Sequence, residues 1–214
     1  MMTPMQACVE TEKLCHLAPI IPVLVVDDAS VARALAEALV AGGLPVLEVT
    51  LRTAAALDVI REMAKVEGGV VGAGTLLTPG DVTAAVEAGA RFGVSPGATP
   101  KLLDACEAAD LPTLPGAATA TEAMALLERG YRFQKFFPAE PAGGTAYLLS
   151  LASPLPQIKF CPTGGINLQN AGSYLKLTNV ITIGGSWMAP KKLIEAKDWA
   201  GIEKLAREAA ALRS

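Results

Sequence analysis

Residues 70–81, "VVGAGTLLTPGD", decide how this chain is read. The first six are small or β-branched and almost wholly apolar, the composition of a parallel strand covered on both faces. The last four carry helix-start chemistry. Thr78 is placed as an N-cap, Pro79 belongs to the first turn, and Asp81 sits at the third position. A strand followed at once by a capped helix is one βα unit. The "GAGTLL" inside the stretch has only the first two glycines of GxGxxG and no well-placed acidic partner, so it is a weak dinucleotide signal.

Working outward, the same unit recurs. Candidate strands are "IIPVLVV" (20–26), "VLEVT" (46–50), "VVGAGT" (70–75), "FGVSP" (92–96), "LPTLPG" (111–116), "FQKFFP" (133–138), "IKFCPTGG" (158–165) and "VITIGG" (180–185). Between them lie helical stretches with their own punctuation. Thr99-Pro100 repeats the capping device, "TATE" (119–122) is a capping box, and "VARALAEALVAGG" ends in Gly42-Gly43, where a C-cap glycine belongs. Eight units spaced by about 20 to 25 residues predict an α/β fold, a (β/α)8 TIM barrel. It would have helical extensions at both ends and occupy residues 1–214 as one domain. A doubly wound sheet with eight parallel strands would usually need a longer chain.

The totals agree and exclude several functions. Of 214 residues, 51% are hydrophobic and 18% charged, ample for a large core. A net charge of −3 with no basic run gives no case for nucleic-acid binding. The N-terminal "MMTPMQACVETEKLCHLAPI" lacks the pattern of a signal peptide, and no run is long and apolar enough to span a bilayer. Cys8, Cys15, Cys106 and Cys161 fit neither a CxxC pattern nor a disulfide framework, so reduced thiols and a cytoplasmic location are expected. Cys8 and Cys15 are seven apart on one helical face and read as small apolar packing residues. The single histidine, His16, leaves little room for a His-based metal site or a Ser-His-Asp triad; it reads as a surface or packing residue.

In barrels of this kind, chemistry sits at the C-terminal ends of the strands. Polar residues there are Glu48, Thr50 and Arg52 after strand two, Thr75 after strand three and Ser95-Pro96 after strand four. Lys135 and Lys159 lie on strands six and seven. Two Gly-Gly turns close strands seven and eight, "PTGGI" and "IGGS", beside Thr163 and Ser186. Glycines often serve only to make tight turns. Two such turns on adjacent strands favour a phosphate cradle of backbone N–H groups. A lone glutamate such as Glu48 inside an apolar strand is more often structurally paired than catalytic.

"YRFQKFFPAE" (131–140) crowds three phenylalanines around Lys135. On a strand Phe133, Lys135 and Phe137 share one face. Desolvation disfavours a charged amine, and a neutral amine is what Schiff-base formation with a ketone requires. The plainer reading is a snorkelling lysine whose stem covers apolar surface. Lys159 in "KFCP" stands in the same relation to a proline as Lys135 in "KFFP", so pattern alone leaves both open.

"LEVTLRT", "GAGT", "SPG", "KFFPAE", "CPTGGI" and "IGGSW" follow one another in the order and spacing of the 2-keto-3-deoxy-6-phosphogluconate (KDPG) and 4-hydroxy-2-oxoglutarate aldolase family. The chain resembles that family from about Pro19 to its C-terminal helix. The resemblance implies a class I lyase of the Entner–Doudoroff pathway, a homotrimer of (β/α)8 barrels with no metal or cofactor. Its substrate would be a phosphorylated keto acid, cleaved to pyruvate and glyceraldehyde 3-phosphate, with 4-hydroxy-2-oxoglutarate as a frequent second substrate. By motif, Lys135 would form the Schiff base and Glu48 act as general acid/base. Arg52 and Thr75 would hold the pyruvyl carboxylate, with Pro96 and Phe137 as pocket walls. Thr163, Gly164, Gly165, Gly185 and Ser186 fall in the phosphate loops. Two rivals remain: a barrel isomerase of a sugar phosphate with Lys135 as an electrostatic clamp, and a non-catalytic sugar-phosphate sensor. Residue types do not decide between gluconate and galactonate stereochemistry, nor between packing and interface roles for Trp187.

Overall fold

The structure, a computed structural model, describes residues 1–213. Its strands are β1 (Ile20–Leu24), β2 (Val46–Thr50), β3 (Val70–Gly74), β4 (Gly93–Val94), β5 (Thr113–Leu114), β6 (Gly116–Ala117), β7 (Phe133–Phe136), β8 (Lys159–Pro162) and β9 (Ile183–Gly185). Its helices are α1 (Pro4–His16), α2 (Ala32–Ala41), α3 (Ala56–Met63), α4 (Pro79–Glu87), α5 (Pro100–Ala108), α6 (Ala120–Arg129), α7 (Gly144–Ala152), α8 (Ala171–Leu175), α9 (Lys191–Glu195) and α10 (Trp199–Ala210). The strands form two parallel sheets, a six-stranded one in the order β5-β4-β3-β2-β1-β9 and a three-stranded one in the order β6-β7-β8. Parallel bridges Phe160–Val180 and Thr163–Gly184 join β8 to the segment around β9.

Every residue of β1 and β2 is buried, as expected of parallel strands with cover on both faces, and in β2 this includes the polar Glu48 and Thr50. The run 111–116, one strand by its sequence, is two in the structure. Pro115, which has no N–H to donate, separates β5 from β6, and its carbonyl accepts from Lys135 N at 2.8 Å. Several expected strands also stop early, at Leu24, Gly74 and Pro162, because the residues beyond turn into loops at the mouth of the sheet.

Helix starts fall where the capping chemistry puts them. Thr78 and Asp81 form a reciprocal capping box, Thr119 and Glu122 form another, and Thr99 accepts from Leu102 N. Gly43, at φ +91°, supplies the left-handed turn after α2. The helix α1 begins with a Thr3–Gln6 capping box and lies across the N-terminal ends of the strands. There Thr11, Leu14 and Cys15 meet Ile21, Val46, Phe92 and Leu114 around a void of only about 10 Å³. Cys8 does more than fill space: its thiol donates to Gly130 O and accepts from Arg132 N, both at 3.2 Å. No helix among the described residues is long and apolar enough to cross a membrane.

The two faces of β7 separate packing from chemistry. Gln134 turns outward and donates to Ala123 O of α6 at 3.0 Å. Phe136 stacks on Tyr147 of α7 with centroids 5.5 Å apart. By alternation, Phe133 and Lys135 point to the opposite, inner face.

Candidate active site

A cavity of about 390 Å³ opens at the C-terminal ends of the strands. Lys135, Glu48, Arg52, Thr75, Pro96 and Phe137 line it, and so do Thr163, Gly164, Gly165, Gly185 and Ser186. All eleven sequence-predicted site residues are therefore in one place. Thr50 and Gly184, both noted in the sequence at the strand ends, also line it, and so do Val23, Val25 and Ile166, which sequence reasoning misses. Val23, Val25 and Ile166 give no polar signal.

Lys135 and Glu48 form the floor. Their side chains are 7% and 4% exposed, and Lys135 Nζ lies 3.2 Å from Glu48 Oε1. The same ammonium sits 5.3 Å from the centroid of the Phe137 ring. Burying either charge alone would cost several kcal/mol. Side by side they offset one another, and moving one proton from Nζ to Oε1 yields a neutral amine beside a neutral acid. A nucleophile and its proton acceptor thus stand within hydrogen-bond reach.

Cys161 pairs with Lys135 across the β7–β8 ladder and is the other nucleophile at this depth. Burial pushes its thiol up to about 12; the Lys135 charge opposes that and the Glu48 charge adds to it. A thiol so disposed stays protonated near neutrality. Thr163 Oγ1 is buried beside Gly184.

Lys159 is placed quite differently. It is the first residue of β8 and pairs with Phe133 rather than with the mouth. Its Nζ donates to Thr178 O at 2.8 Å, and it borders a separate hollow with Glu12, His16 and Phe133. His16 is a surface residue, 3.9 Å from Glu12. The identical "KF-P" patterns are therefore offset in strand register by two residues.

The upper wall carries Arg52, Thr75 and the glycine turns. Arg52 is exposed at the rim and makes no ion pair among the described residues. Its loop is fixed because Thr50 Oγ1 donates to Leu24 O at 2.9 Å and Thr53 Oγ1 to Val26 O at 2.7 Å. Thr75 adopts φ +62°, an unusual conformation for a β-branched residue and the kind of strain that gathers at functional sites. Gly164 and Gly165 adopt φ +104° and +79°, and their carbonyls accept from Glu140 N at 3.0 Å and Asn170 Nδ2 at 3.1 Å. With the carbonyls tied outward, the N–H groups of that turn are what remain to meet a ligand. On the opposite side the ring of half-buried Trp187 packs on Gly185, where an added Cβ would lie 2.6 Å from Cε3. Among the described residues no cluster of three His, Cys, Asp or Glu is placed to hold a metal.

The chain is also similar to known proteins along nearly its whole length. Residues 11–205 match the family model described as KDPG and KHG aldolase. The KHG/KDPG aldolase of Escherichia coli is 48% identical over 199 residues, covering 92% of this chain and 93% of that protein. Among solved structures, the 2-keto-3-deoxy-6-phosphogluconate aldolase of Zymomonas mobilis with 3-phosphoglycerate superposes with a TM-score of 0.92 at 46% identity, covering 96% and 97% of the two chains. The Legionella pneumophila KDPG aldolase, with pyruvate captured as a covalent carbinolamine intermediate, gives 0.90 at 43% identity, covering 94% and 98%.

Proposed function

The chain belongs to the KDPG and KHG aldolase family, and on that premise we propose that it is a class I lyase that cleaves 2-keto-3-deoxy-6-phosphogluconate to pyruvate and glyceraldehyde 3-phosphate. One observation carries the reading: a buried lysine in contact with a buried glutamate at the closed end of a cavity rimmed by Arg52 and two glycine turns.

The chemistry follows from the positions. Arg52 pairs with the substrate carboxylate, with Thr75 beside it, so that the ketone carbon meets Lys135. The neutral amine adds to that carbon to give a carbinolamine, and loss of water leaves an iminium that draws electrons. Glu48, directly or through a water, takes the proton from the hydroxyl two carbons away. The carbon–carbon bond breaks, its electron pair forms an enamine, and the aldehyde carries its phosphate out past Gly164, Gly165, Gly185 and Ser186. Glu48 then returns a proton to the enamine carbon, and water frees pyruvate and restores Lys135. Pro96 and Phe137 keep bulk water off the intermediate.

Incubation with pyruvate and borohydride should add one pyruvyl adduct to Lys135. Label on Lys159, or none, would overturn the assignment. The same test excludes the isomerase and sensor readings, neither of which needs a covalent lysine.

The finer architecture belongs to the same proposal. We read the two sheets as one closed (β/α)8 barrel in a single domain, with Pro115 dividing one strand position between β5 and β6. The continuity of β5–β6 and the β8–β9 bridges support it. A homotrimer, a cytoplasmic location and a place in the Entner–Doudoroff pathway complete the reading. The buried thiols of Cys8, Cys106 and Cys161 suit a reducing compartment.

A further inference from the structure

From the fit between β2 and β3 we infer that Gly74 is a positioning residue: the absence of a side chain there is what lets the Glu48 carboxylate reach Lys135. The inference rests on the acid/base role of Glu48 and goes beyond it, because no chemistry is assigned to position 74.

In the β2–β3 ladder Glu48 lies opposite Gly72 and Thr50 opposite Gly74. The glutamate side chain leans forward along the barrel interior to the diagonal neighbour, two residues on, as long side chains do in sheets. A Cβ built on Gly74 would stand 2.7 Å from Glu48 Cγ and 2.8 Å from Cδ, and nearer still to Oε1. Carbon atoms rest at about 3.5–4.0 Å, so a methyl group and this carboxylate do not share the space. What must give is the end of a flexible side chain rather than backbone. Gly74 is also not among the positive-φ glycines, so alanine meets no conformational penalty there. The contrast with Gly72 is direct: there the added Cβ would meet the Phe92 ring at 2.5 Å, a rigid core group. Gly72 makes room for packing, whereas Gly74 makes room for a carboxylate.

The consequence is specific. In Gly74→Ala the barrel folds, Glu48 swings off its contact with Lys135, and proton transfer fails while substrate binding at Arg52 and the glycine turns persists. A displacement of about 1 Å at a reacting group costs on the order of 100-fold in rate. The thermal midpoint should stay within a few degrees of the parent.

A double-variant cycle tests this, reading kcat, KM and thermal midpoint for Gly74→Ala, Glu48→Ala and the two combined. Alanine at position 48 has no Cγ and leaves the space a methyl on residue 74 would take. The expected result is about a 100-fold loss of kcat for Gly74→Ala in the parent with KM within about threefold, and less than about fivefold further loss of the residual kcat when it is added to Glu48→Ala. An equal loss in both backgrounds would mean a general packing defect and overturn the inference, as would a Gly74→Ala enzyme within twofold of the parent. If Gly74→Ala alone fails to fold, folding of the double variant locates the clash at Glu48 and supports the inference; failure of both overturns it. Glu48→Gln separates the two levels. Parental turnover in that variant would sink the acid/base reading itself, whereas an inactive Glu48→Gln with an active Gly74→Ala sinks only the role of Gly74.

Discussion

Two charged clusters in this molecule look alike as ion pairs and are built to opposite ends. Between α5 and α6, Arg129 grips Glu107 with a fork, Nε to Oε1 at 2.8 Å and Nη2 to Oε2 at 2.9 Å, while Tyr131 donates to Glu107 Oε1 at 3.0 Å and Asp104 takes a further Arg129 bond. Burial pushes the Tyr131 hydroxyl far up, helped by Glu107, so it remains a donor. Both oxygens of Glu107 are engaged there. Lys135 and Glu48 share a single 3.2 Å contact, more deeply buried, and face an open cavity. Saturation marks a clamp and spare bonding capacity marks a reaction centre.

Exchanging the losses is the strongest way to break that contrast. Lys135→Met should lower kcat by roughly 10⁴-fold or more, the scale seen when a covalent nucleophile is removed, and should also lower the urea midpoint because Glu48 is left buried and unpaired. Arg129→Met should cost stability alone. Stranding Glu107 should lower stability by about 3 kcal/mol, measured by urea unfolding, with kcat per folded molecule unchanged. If Arg129→Met also loses activity per folded molecule, or Lys135→Met keeps it, the distinction fails.

A smaller effect sharpens it at Cys161. With its thiol held near 12 by burial, Cys161 should escape iodoacetamide at pH 8 in the native protein and react only after denaturation. Mass mapping of native and unfolded samples reads this directly. The smallest effect lies at the α6 cap. The Ala118 N–H, with Thr119, holds the Glu122 carboxyl below its ordinary value against the opposing effect of burial. A depressed folded value means stability that is present above the unfolded value of about 4.3 and lost as pH falls through the folded one. The urea midpoints of the parent and Glu122→Gln should therefore differ at pH 7 and converge below about pH 4.

Much of this is legible in the sequence because the signals are local. Thr78, Thr99 and Thr119 announce their helices through side-chain spacing alone, and strand ends give the polar residues of the mouth. The lysine ambiguity is not legible, since "KFFP" and "KFCP" differ only in where each strand begins, a matter of pairing with a neighbour. Pro115 is visible, but the division it imposes depends on which carbonyl Lys135 N needs. The hydrogen bonds of Cys8 and the close approaches at Gly74 and Gly184 depend on tertiary partners, and a glycine that makes room reads like one that merely turns.

The helix laid across the N-terminal strand ends has one more implication. That end is packed by Thr11, Leu14 and Cys15 down to a void of about 10 Å³, while the cavity of the site opens at the other ends of the strands. On the proposed chemistry traffic would then be ordered by depth: the three-carbon piece tethered to Lys135 would sit behind the phosphorylated aldehyde, which would depart before the tether is hydrolysed.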